Sequence, residues 1–342
     1  MANRLVTDII ERTAYLCNLN TDQAAVLCAA ANNLKTAQDA QALVRPLLSV
    51  RSFRLLLWGP PGSGKTYALR RLGETLVERG GKPLFYLDAD RDAAFSKGLD
   101  PQEVQVAPLL HAASGEEALT HIRNQVKNLI NLIGKGVQSA RDGKHAGYAL
   151  DTITSWADVA WGAKSTMDLD LTVGKGGAGD GTQMHANKIM AMVSMIIKNA
   201  SIAIFTATDG NLLKDTPQVP GPFVTAMVAH AKSVRADLKG GFGSHDHWIL
   251  DLGGRTAEAV FGKADFSLGF GLDKAPDKPA SAYHFDFDKT KYAHVKARLP
   301  NADAVALAEK CAKTADVAGL VTGLYEMRVR DAIAHIAEQN PA

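Results

Sequence analysis

Residues 59–66 read Gly-Pro-Pro-Gly-Ser-Gly-Lys-Thr and match the pattern G-x-x-x-x-G-K-[ST] at every fixed position. These residue types at this spacing serve one chemistry, the holding of a polyphosphate. Gly59, Gly62 and Gly64 let the backbone curl so that successive N–H groups point into one concavity. Lys65 places a cation on the outer phosphates, and Thr66 offers a hydroxyl to Mg²⁺. A helix starting here aims its positive N-terminal end at the same phosphates. The expected nucleotide contacts are therefore Gly59, Pro60, Pro61, Gly62, Ser63, Gly64, Lys65, Thr66 and the adjoining Tyr67, with ATP and Mg²⁺ as the ligands.

Such a loop needs a strand before it and a helix after it. Arg54-Leu-Leu-Leu-Trp58 is a short apolar run that predicts a buried strand. From Tyr67 to Arg79, apolar residues at 68, 69, 72, 76 and 77 have helical spacing, and Gly80-Gly81 stops that helix.

Hydrolysis needs more groups, and strand ends are where an α/β sheet supplies them. Gly147-Tyr-Ala-Leu150 predicts a strand ending at Asp151. That carboxylate is the expected second Mg²⁺ partner beside Thr66. Thr152 follows it, so no glutamate base stands directly after the aspartate. The tip of a second predicted strand, Lys82 to Asp90, offers carboxylates instead. Asp90 is the first candidate to orient and deprotonate the attacking water, and Asp88 the second. A further strand, Ser201 to Thr206, leads to Thr208, a candidate sensor of the γ-phosphate.

The rest of the chain positions these groups. Residues 1–50 predict three helices: a stripe of Leu5, Ile9, Ile10, Thr13 and Leu16, a second helix capped by Thr21 or Asp22, and a third capped by Thr36 and stopped near Val44 by Pro46. Val104 to Ala107 predicts a short strand, and Ser114-Gly-Glu-Glu117 a capping box opening a long helix. Trp248–Leu252 and Ala257–Phe261 predict a hairpin around Gly253-Gly254, and His245 and His247 an exposed loop. The expected fold is α/β: a helical cap over 1–50, an ATPase core with a mainly parallel sheet over 51–272, a linker and strand over 273–300, and a helical tail over 301–342.

Bulk properties exclude several classes. The chain has 342 residues, 46% of them hydrophobic, and a mean hydropathy of −0.08, which predicts a soluble globular protein. No apolar run reaches membrane-span length, and Met1 to Asp8 contains no secretory core. Three scattered cysteines predict reduced thiols and a cytoplasmic setting. The formal net charge of +2 requires any polyanion site to be a local patch.

Gly59–Thr66, Phe85-Tyr-Leu-Asp-Ala-Asp90, Tyr148-Ala-Leu-Asp-Thr152 and Ser233-Val-Arg-Ala-Asp-Leu238 together resemble the RecA-like recombinase ATPases over roughly residues 53–262. Phage-encoded members linked to single-strand annealing and recombination look closest. RecA proper has glutamate at the position matched to Asp90, so a shorter carboxylate must approach closer or act through a water. The resemblance implies a homo-oligomer, ring or filament, with a basic residue from a neighbouring subunit completing the site; Arg235, Arg255 and Lys263 are candidates. It also implies single-stranded DNA at the loops 162–183 and 209–222. Two other readings stay open: a nucleotide-dependent switch or assembly factor with a protein partner on the terminal helices, and another P-loop motor of AAA+ or helicase type. Thr152 argues against the AAA+ form.

Overall fold

A computed structural model describes residues 2–89, 96–104, 115–156, 217–237, 244–252, 255–273, 282–287, 289 and 291–340. Three helices come first: α1 (Ala2–Leu16), α2 (Thr21–Ala31) and α3 (Ala37–Ser49). Strand β1 (Ser52–Gly59) runs into the glycine loop and helix α4 (Lys65–Glu78). Then follow β2 (Leu84–Asp88), β3 (Leu99–Glu103), α5 (Gly115–Arg141), β4 (Gly147–Asp151), β5 (Phe223–Asp237) and β6 (Ser244–Leu250). Helix α6 (Arg255–Lys263), β7 (Phe266–Asp273), β8 (Ala282–Asp286), β9 (Lys296–Ala297), α7 (Ala302–Ala312) and α8 (Val317–Gln339) complete the order.

The sheet runs β3-β2-β4-β5-β1-β7-β8, with β6 added to β5 and β9 to β7. Neighbours from β3 to β7 are parallel, while β6, β8 and β9 pair antiparallel. The protein is thus α/β, with a mostly parallel mixed sheet and helices at both ends of the chain. β1 shows why its run is so apolar. Leu55 and Leu57 pack on one face with Leu69 and Leu72 of α4, while Leu56 and Trp58 pack on the other with Leu129 and Ile133 of α5 and Val260 of α6. A strand buried on both faces cannot alternate polar with apolar.

The terminal helices join one of these faces. α8 packs against α4, α2, α3 and α7. Tyr325 donates to the carbonyl of Cys17 at 2.7 Å, tying α8 to the end of α1. Arg79, at the end of α4, pairs with Glu326 of α8.

Several local expectations are corrected. α3 does not stop near Val44; Pro46 lies inside it. Val44, Leu47 and Leu48 are buried, and two further buried leucines, at about 1.5–3 kcal/mol each, offset a proline cost of ~3 kcal/mol. Asn20, not Thr21 or Asp22, caps α2: its side chain accepts from Gln23 N–H at 2.9 Å and Gln23 reciprocates at 3.1 Å. Leu5 faces solvent, and Val6, Ile10, Thr13 and Leu16 form the buried stripe of α1. The third described strand is Leu99–Glu103; of the expected strand over 104–107 only Val104 is described, just past its end. No hairpin surrounds 253–254: Arg255–Lys263 is helical, because Ala257, Val260 and Ala264 repeat at helical spacing and are buried. His245 and His247 belong to strand β6, paired with β5, rather than to a loop. Among the described residues no helix is long and apolar enough to cross a membrane.

Candidate functional site

The glycine loop lies at the carboxyl end of β1, where β2, β4 and β5 also bring residues. Gly59 is forced there by crowding. A Cβ on it would meet the carbonyl oxygen of Phe270 at 2.4 Å, a distance no side chain tolerates. Gly64, which precedes α4, has a φ of +87°, and a Cβ there would approach the Tyr283 ring at 2.8 Å. Its left-handed backbone turns the loop into the helix.

Lys65 opens α4 and is buried, 5% exposed. Its Nζ donates to the carbonyls of Gly59 at 3.0 Å and Pro60 at 2.8 Å, and lies 3.4 Å from Ser63 Oγ. The lysine therefore spans the concavity of its own loop. Next along the helix, Thr66 Oγ1 donates to Asp151 Oδ2 at 2.6 Å. Tyr86 of β2 donates to the same oxygen at 2.9 Å. Asp151 is 1% exposed at the end of β4. A buried carboxylate is tolerated only when hydrogen-bonded, and these two hydroxyls serve its Oδ2.

A hydroxyl and a carboxylate in contact are hard oxygen donors and suit Mg²⁺, which takes one or two protein ligands and leaves its other positions to water and phosphate. Among the described residues no cluster of three or more His, Cys, Asp or Glu forms a protein-only metal cage. The donor set fits a metal shared with phosphates.

The other expected site residues divide. Asp88 ends β2 in direct register with Asp151 and is 6% exposed, so two carboxylates stand side by side at the strand ends. Asp90 and Thr208 lie outside the described residues, as do the loop 162–183 and residues 209–216. Residues 217–222 are described, and they correct the expected loop. They lead into Phe223, which is in register with Ser52 at the start of β1, and so sit at the opposite end of the sheet from the glycine loop. Buried Arg51 fastens them there, donating to the carbonyls of Gly221 at 3.0 Å, Pro217 at 3.2 Å and Val219. This stretch offers no loop beside the phosphates. Lys263 ends α6 and is exposed. Arg255 begins that helix and Arg235 lies in β5 opposite Asp246 of β6.

Two residues near the loop have no motif in the sequence to mark them. His230 of β5 is in register with Gly59, because β5 inserts between β1 and β4. Its N–H donates to Thr154 Oγ1 at 2.8 Å and its carbonyl accepts from Asp251 N–H at 2.9 Å, fixing the strand tip. Tyr283 of β8 lies over Gly64, and its ring centroid is 6.4 Å from that of Tyr67 at 30°. Both rings are well exposed, at 39% and 56%. Thr152, beside Asp151, accepts from Ser155 N–H at 3.0 Å and so caps a local turn.

The arrangement can hold a polyphosphate with a divalent cation, present carboxylates beside it, and cover an aromatic group. No protein-family model and no curated protein matches this chain.

Proposed function

We propose that this chain is a Mg²⁺-dependent ATPase of RecA-like type that oligomerises and acts on single-stranded DNA in recombination, annealing or repair. The observation that carries the reading is the contact of Thr66, at the head of α4, with Asp151, at the end of β4. It supports a metal-phosphate site, since a lone glycine turn needs no buried carboxylate aimed at its threonine.

In this reading the loop N–H groups and the N-terminus of α4 bind the phosphates. Lys65 transfers its hydrogen bonds from the loop carbonyls to the outer phosphate oxygens. Mg²⁺, held through Thr66 and Asp151, would neutralise charge on the β- and γ-phosphates. Asp88, with Asp90 beyond it, orients the attacking water and accepts its proton. His230, beside Gly59, joins Thr208 as a candidate sensor of the γ-phosphate. Tyr67 and Tyr283 stack on the nucleotide base, and stacking tolerates any base. DNA contact is assigned to the loop 162–183. The trans-acting cation is one of Arg235, Arg255 and Lys263.

A second reading, a nucleotide-dependent switch with a protein partner, is favoured by the packing of α8 along α4. That contact couples the nucleotide helix to the chain's end.

Phosphate release from ATP, measured with and without single-stranded DNA at two salt concentrations, tests the proposal. The ATPase reading expects turnover that DNA stimulates, with stimulation weakening as salt rises. Slow turnover indifferent to DNA transfers support to the switch, and no Mg²⁺-dependent binding or turnover removes both.

A further inference from the structure

At the β8 edge of the sheet, β8, β9 and α7 enclose a cleft of about 910 Å³. Lys289, Lys291, Lys296 and Lys313 border it, against two carboxylates, Asp286 and Glu309. The whole chain carries a formal charge of only +2, so this is a local concentration of cations.

Among the described residues none of the four lysines is paired with a carboxylate. Their contacts are neutral. Lys296 donates to the carbonyl of Gly262 at 3.2 Å and lies 4.7 Å over the Phe261 ring. Lys291 stands 3.5 Å from His284 Nε2 and 5.4 Å over the Tyr292 ring. Burial, followed by repulsion from Arg298, lowers the proton affinity of Lys296, and Asp265 only partly compensates.

Between the lysines the cleft is apolar, and Phe285 and Phe287 line it beside aliphatic side chains. Ala297 and Leu299 pack against the main core while still lining the cleft, and Val305 of α7 is 42% exposed. A single phosphate or carboxylate is far smaller than this volume. The bases of a polynucleotide need exposed aromatic faces, whereas Phe285 is buried and Phe287 is partly buried against it in an edge contact at 5.6 Å.

We propose that this cleft docks an acidic amphipathic peptide segment of a partner protein, with carboxylates on the lysine rim and apolar side chains on Ala297, Leu299 and Val305. The cleft shares strand β8 with the nucleotide site, but Tyr283, the β8 residue over the glycine loop, does not line it.

The test is fluorescence anisotropy of the full-length protein with a short fluorescein-labelled peptide alternating aspartate with leucine. A peptide with lysine in place of aspartate, and oligo-deoxythymidine, serve as comparators. The expected result is salt-sensitive binding of the aspartate peptide alone. It weakens about tenfold or more in Lys289→Glu/Lys313→Glu and again in Val305→Asp. These side chains are exposed, so the thermal unfolding midpoint stays at the wild-type value. Lys65→Ala binds the peptide as wild type does, even though it loses nucleotide, which separates this site from the phosphate loop. Equal binding by the charge-reversed protein, no binding by wild type, or binding of oligo-deoxythymidine in the peptide's stead overturns the proposal.

Discussion

Thr66 Oγ1 donates to Asp151 Oδ2 at 2.6 Å, across 85 residues of chain. The bond joins the first turn of α4 to the end of β4, and Tyr86 adds a second donor to the same oxygen. Thr66→Val keeps the side-chain shape and removes one donor from a buried carboxylate. The expected cost is about 1–3 kcal/mol in denaturant unfolding without nucleotide, together with loss of Mg²⁺ dependence in ATP binding. A variant of wild-type stability whose ATP affinity still depends on Mg²⁺ contradicts this role.

His230 stands beside Gly59 through strand register alone. Its backbone bonds to Thr154 and Asp251 survive replacement of the side chain. His230→Ala is therefore expected to keep ATP affinity within a few-fold and to lower turnover by about a hundredfold, the low end of the range for loss of one donor to developing charge. Single-turnover hydrolysis reads this directly, and an unchanged rate assigns the sensing role elsewhere.

Tyr283 reaches the loop from β8 and Tyr67 from α4, so the aromatic pair depends on long-range packing. Tyr283→Ala is expected to weaken ATP binding by ~1–3 kcal/mol, the contribution of one base stack. Affinity for inorganic tripolyphosphate, which has no base, should not change. Parallel loss for both ligands means that Tyr283 supports the loop rather than a base.

The thiols respond unequally to pH. Burial is the first cause that raises Cys17 from its ordinary 9.0 to about 11, against a smaller opposite effect of Arg51. Burial also raises Cys311 to about 11. Both stay protonated when folded while an unfolded chain would ionise them. Their contribution to stability is thus complete below pH 9 and is lost as pH rises towards about 11. Cys28 is exposed. Titration with a thiol reagent at pH 8 should modify one cysteine quickly and the other two only on unfolding. Rapid modification of all three contradicts the packing of α8 over Cys17.

The strand–loop–helix around 59–66 was legible because each part is written in consecutive residues: an apolar run, glycines, then helical spacing. The same holds for β4 ending at Asp151. What escaped depends on partners distant in sequence. β5 reads poorly as one strand because its first half is buried between β1 and β4 while Lys232 and Ser233 face solvent beside β6. Without β5 in place, His230 had no neighbour to give it meaning. Ala257-Glu-Ala-Val-Phe261 carries β-favouring residues, yet the burial of Ala257, Val260 and Ala264 makes it a helix. Pro46 misled in the same way, since the energy that holds α3 past it comes from core leucines rather than local propensity.

In the proposed function the 59–66 loop, with Asp151, holds a metal-bound triphosphate. Calorimetric titration of ATP with Mg²⁺ into wild type and Lys65→Ala tests it most directly. Lys65 donates to the carbonyls of Gly59 and Pro60 in its own loop, and the variant should remain folded by circular dichroism. Wild type should bind ATP at one site, more weakly once Mg²⁺ is chelated, and Lys65→Ala should lose about a hundredfold or more in affinity. Equal ATP affinity in the two proteins, or no binding by wild type, would contradict it.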